Sequence, residues 1–142
     1  MIVRAVSLFS LVAALLAFAA CKQLELSVPS STERVLAGVV KIQSGGDLPR
    51  DAEVTIQIVD LSRGASQPDI LGEQTVKAPA AGTVPFRIEF HADDALLLRG
   101  VAVDARVSVA GKLRYATRAA HPITVANVAG QHVVNVEPAT QP

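Results

Sequence analysis

Glu53-Val54-Thr55-Ile56-Gln57-Ile58-Val59 is the stretch on which the fold turns. Val54, Ile56 and Ile58 alternate with Thr55 and Gln57, and successive side chains of an extended chain fall on opposite faces. The segment therefore reads as a strand with one buried face, in the middle of a sheet. The same period of two recurs on either side. Arg34 to Gln43 places Leu36, Val40 and Ile42 on one face, with Gly38 as a bulge or a point of close packing. Gly45-Gly46 and Pro49 separate the two strands.

Beyond Val59, a loop marked by Ser62, Gly64, Ser66 and Pro68 leads to Ile70–Ala78, a more polar strand suited to an edge, where Glu73 and Lys77 discourage foreign pairing. Phe86, Ile88 and Phe90 then alternate with Arg87 and Glu89, and this strand brings aromatic volume to the core. Alternation fails from His91 to Gly100. Three leucines behind Asp93 and Asp94 predict a short helical turn capped by one of the aspartates and closing one end of the core. Val101 to Val109 resumes the period of two, and Ala110-Gly111 turns it into a hairpin with Leu113 and Tyr115. Ile123–Val128 is predicted as a short strand and His132–Glu137 as the last. Some seven short strands, with no long segment of helical period after residue 20, predict an all-β fold, an antiparallel β-sandwich.

The chain's start has another character. Arg4 precedes a nearly unbroken apolar run from Ala5 to Phe18, and Phe18-Ala19-Ala20 leads into Cys21, the only cysteine. The run is too short for a comfortable membrane span and reads as an export signal, 1–20, cleaved before the cysteine. Phe18-Ala19-Ala20-Cys21 resembles the lipobox of bacterial lipoproteins, which implies acylation (palmitate) of Cys21. Two or more acyl chains hold a protein stably on a membrane. Lys22, where an aspartate would mark inner-membrane retention, implies by the same resemblance the outer membrane, facing the periplasm. Residues 21–33 form a tether, 34–138 the sandwich and 139–142 a fraying tail.

Without Arg4 the exported chain carries 12 basic and 13 acidic residues, a net charge of −1 with histidine neutral. That balance gives no reason to expect nucleic acid. One cysteine cannot make an internal disulfide, and the absence of tryptophan argues against a sugar platform of stacked rings. His91, His121 and His132 lie far apart without ligand spacing, so they read as solvated or strand-end residues, and no metal or other cofactor is expected. No Gly-x-Ser-x-Gly elbow selects a serine, and no phosphate loop follows a strand. With no catalytic constellation, the chain reads as a binding module whose usable surfaces are a sheet edge or a groove.

Leu48-Pro49, Ala52, the alternating Val54, Ile56 and Ile58, and Asp60, followed by Pro85-Phe86, Ile88, Val103, Ala105, Val107, Gly111, Leu113 and Tyr115, resemble the signature of the YbaY/YscW family of lipoproteins. The resemblance runs from about Val35 to Tyr115. It implies a β-sandwich on the outer membrane, acting as an envelope assembly factor. In the pilotin branch it implies a chaperone that binds the C-terminal segment of a secretin for type III secretion. The other readings are a module that binds another envelope protein, in stress response or enzyme inhibition, and a small hydrolase with an unrecognised site.

Overall fold

A computed structural model describes residues 32–43, 48–64, 66–77 and 82–139. The signal, Cys21 and nearly all of the tether lie outside the described residues, as do residues 140–142. The elements are β1 (Glu33–Ile42), β2 (Ala52–Asp60), β3 (Asp69–Lys77), β4 (Thr83–His91), α1 (Asp94–Gly100), β5 (Val101–Val109), β6 (Lys112–Ala116), β7 (His121–Ile123) and β8 (Gln131–Pro138).

The strands run in the order β3-β2-β5-β6-β8-β1-β4, with β7 also on β5. One layer is built from β2, β3, β5, β6 and β7 and the other from β1, β4 and β8; a short β6–β8 pairing at Tyr115 and Ala116 joins them. The end strands β3 and β4 face each other without a backbone ladder. There Gln74 Oε1 accepts the Arg87 amide at 2.9 Å, so a side chain occupies an edge donor. The result is a sandwich curled almost into a barrel, and the expected all-β architecture holds. Pairing is antiparallel among the described strands except between β1 and β8, which are parallel.

β2 sits between β3 and β5 as its pattern requires, and Val54, Ile56 and Ile58 are fully buried. A register shift against β3 at Ile58/Val59 ends the alternation, so Val59 and Asp60 are buried as well. From β4 the core receives Phe86, Ile88 and Phe90. Gly38 is the predicted point of close packing. A Cβ there would stand 2.2 Å from the carbonyl oxygen of His132 on β8, a backbone atom that cannot swing aside.

α1 forms where expected. Asp93 caps it, its Oδ1 accepting the Leu96 amide at 2.7 Å, and Leu97 is buried. β7 departs from expectation: the strand is His121–Ile123, and the residues after it form a turn. Thr124 and Asn127 hold that turn reciprocally, the Asn127 side-chain Oδ1 accepting Thr124 N at 2.8 Å and the Thr124 hydroxyl accepting Asn127 N at 3.3 Å. Local side-chain bonds of this kind outcompete a ladder that has few cross-strand partners.

The strands give the molecule two ends. At one lie Thr32, whose carbonyl accepts the Ala92 amide, the start of β1, all of α1 and the turn after β7. At the other lie the β5–β6 hairpin, the start of β2 and the end of β8.

Candidate partner-binding site

The hairpin end carries a concavity of about 580 Å³, lined by Pro49, Val109, Leu113, Arg114, Tyr115, Pro138 and Ala139. Its geometry follows from local sequence. Ala110 (φ 52°) and Gly111 (φ 77°) both adopt left-handed backbone, the combination that a two-residue turn matched to strand twist demands. Between Val107↔Tyr115 and Ser108↔Leu113 the register shifts, which leaves Arg114 as the extra residue of a bulge. Bulges re-aim side chains and strengthen twist. The Arg114 carbonyl accepts the Ala139 amide at 2.8 Å, and this bond seals the end of β8 against β6.

The walls are therefore mostly apolar and carry one cation. Among the described residues no carboxylate pairs with Arg114, whereas Arg34, Arg63, Arg106 and Arg118 each have one. Among the described residues β6 pairs with β8 only through Tyr115 and Ala116, so no described strand covers its Lys112–Leu113 edge. An apolar trough beside such a strand edge, with a single cation, suits an extended or helical peptide bearing an acidic group. It does not bring together an acid and a base.

The residues considered for chemistry lie elsewhere. Asp93 is used as the helix cap, and Asp94 pairs with Arg34 at 2.5 Å. His91 is exposed at the end of β4. His121 and His132 lie at strand ends, as expected, at the starts of β7 and β8, and their side chains also meet. His121 Nε2 lies 3.1 Å from His132 Nδ1, and the rings stand edge to face. His132 is buried, pointing inward opposite Gly38, and its Nε2 finds no hydrogen-bond partner among the described residues. Desolvation, and then the neighbouring ring, hold the pKa of His121 below its ordinary value. The pair joins two strands with no ladder between them, so sequence spacing could not reveal it. Asp60 is held below the usual carboxylate range by hydrogen bonds from Ser62, against the opposing effect of burial. No described cluster gathers three metal-ligating side chains.

Residues 31–136 match the sequence profile of the type III secretion system lipoprotein chaperone family, YscW. The chain belongs to this family. Among solved structures it is similar to an alternative pilotin from the type II secretion system of Vibrio cholerae, with a TM-score of 0.64 and 18% identity over 78% of this chain and 100% of that one. At that identity the likeness establishes the shared fold. A search of curated protein sequences returns no match. The family is described as one of lipoprotein chaperones, which agrees with a binding role.

Proposed function

We propose that this YscW-family protein is a pilotin-like lipoprotein of the outer membrane. Its acylated Cys21 anchors it on the periplasmic side, and its hairpin-end cavity holds the C-terminal segment of a secretin subunit. The anchor lends a non-lipidated partner the destination of its own acyl chains, a tethering effect that needs no chemical step. The observation that carries the reading is the Lys112–Leu113 edge beside an apolar trough with Arg114, none of them engaged by a further strand or a carboxylate among the described residues.

The test is capture from solubilised envelopes with the wild type, Cys21→Ser and Arg114→Glu. Wild type and Cys21→Ser should both retain the secretin, and only wild type should deliver it to the outer membrane. Reversing the charge of Arg114 should weaken capture by about tenfold or more, given that a charge-assisted hydrogen bond contributes ~1.5–3 kcal/mol. Its exposed position should leave the melting temperature unchanged. Capture by Arg114→Glu at wild-type strength would move the site elsewhere, and normal delivery by Cys21→Ser would remove the anchor from the mechanism.

A further inference from the structure

The end opposite the cavity exposes apolar side chains that the fold does not need outside. Leu98 on α1 is 81% exposed, the most of any large apolar residue described; Ile70 at the start of β3 and Val125 in the turn after β7 are also open. A shallow depression of about 170 Å³ at the same end is lined by Arg34, Val35, Val128 and Ala129. All belong to segments at the Thr32 end. The chain also reaches the sandwich here, since Thr32 is bonded to Ala92, two residues before α1.

We infer that the Thr32 end, led by Leu98 of α1, rests on the phospholipid headgroup surface and so turns the hairpin-end cavity away from the membrane. The inference rests on the acylation of Cys21 proposed above. Ten residues separate Cys21 from Thr32, a leash of at most roughly 36 Å, about the width of a domain this size. A surface held so close meets the bilayer at an effective concentration in the millimolar range. Two or three shallowly buried apolar side chains, far too few to bind a membrane from solution, then suffice to fix an orientation. Charge at this end does not forbid the contact. Acidic residues lie here, Glu33, Asp69, Asp93 and Asp94, but Asp94 pairs with Arg34, Asp69 lies by Arg63 and Asp93 caps the helix, while the exposed Arg99 next to Leu98 can meet a lipid phosphate.

The occupant could otherwise be a second copy of the chain, and the experiment separates the two. The full acylated chain, reconstituted in vesicles of phosphatidylethanolamine and phosphatidylglycerol, is given a nitroxide at Leu98→Cys or, at the opposite end, at Lys112→Cys. Acylation consumes the Cys21 thiol, so each introduced cysteine is unique. Collision of the label with a water-soluble relaxation agent should be several-fold rarer at position 98 than at 112. With the reporter moved to Val125→Cys, adding Leu98→Ser should lose most of the protection at 125 while leaving the melting temperature in place, because residue 98 is not in the core. Equal accessibility at 98 and 112 in a chain whose Cys21 is shown by mass spectrometry to be acylated overturns the orientation alone. An unmodified Cys21 overturns the anchor and the orientation with it. Protection at 98 that grows with protein concentration at constant lipid overturns the inference in favour of a second copy.

Discussion

The two ends of the sandwich treat their polar groups differently. At the Thr32 end most of the polar groups that touch the fold are committed, although Arg99 stays exposed: Asp93 to a helix amide, Asp94 to Arg34, Arg34 Nε to the Ala92 carbonyl at 2.7 Å, and Asp60 to Ser62. At the hairpin end, a strained two-residue turn and a bulge present Arg114 to an apolar trough without a described counterion. A satisfied polar group stabilises the fold and has little left to offer a ligand. An uncommitted cation among apolar walls adds little to stability and is ready for a partner. The contrast distinguishes fold-keeping residues from partner-seeking ones in a chain without catalytic signature.

Both ends hang on one core, and the largest expected effect comes from removing it. Ile56→Asp would place a carboxylate at a fully buried position in the middle of β2, opposite Ala105 on β5 and Gln74 on β3, with no cation to pair it there. An unpaired buried charge costs more than ~4 kcal/mol, a large part of the ~5–15 kcal/mol that holds a domain together. No cooperative thermal transition should remain, and partner capture should vanish with it. Gln57→Ala, on the outer face of the same strand, should melt within a few degrees of wild type. A native-like melt for Ile56→Asp would mean that the two ends do not share this core.

How much of this was legible follows from how local each signal is. β2, β4 and β5 bury one face continuously, so their alternation is written in consecutive residues. The Asp93 cap lies three residues from the amide it serves, and Gly38 shows itself as a glycine inside a strand. The rest depends on contacts that sequence order does not encode. β1 and β8 are parallel partners from opposite ends of the chain. β7 is three residues long and includes Pro122, while the following Thr124–Val128 run mimics alternation although its side chains bond to its own backbone. Arg114 sits in a bulge that is invisible in Leu113-Arg114-Tyr115, where plain alternation would have sent it outward. The trough it lines needs Pro49 and Pro138 brought from distant segments.

The histidine pair gives a smaller and pH-dependent effect. In the folded protein His121 takes up a proton less readily than in the unfolded chain, because of desolvation and the ring of His132. The unfolded state therefore binds more protons once pH falls below the ordinary histidine value of 6.5. The stabilisation is complete above that value and is lost as pH falls through it toward the lowered folded value. The melting temperature should drop by a few degrees between pH 7.5 and 5.5, and His121→Gln should flatten that dependence. A wild-type profile that is flat or rises on acidification would show that the pair is not buried in solution.

The smallest effect is the most local. α1 has only seven residues, too few to persist by its own propensity, so it depends on Leu97 in the core and on Asp93 at its start. Asp93→Ala frees the Leu96 amide and should cost about 1 kcal/mol, whereas Asp93→Asn, which can still accept that hydrogen bond, should cost little. Hydrogen exchange is the right measurement, because it reads each segment separately. In Asp93→Ala the amides of α1 should exchange about fivefold faster, as ~1 kcal/mol implies, and those of the β5–β6 hairpin should keep their wild-type rates. The hairpin end owes its shape to its own turn, its bulge and the Ala139 bond, and the cap contributes to none of these. If the hairpin amides accelerate in step with α1, the two ends open as one unit. Weakening α1 would then loosen the hairpin-end trough as well.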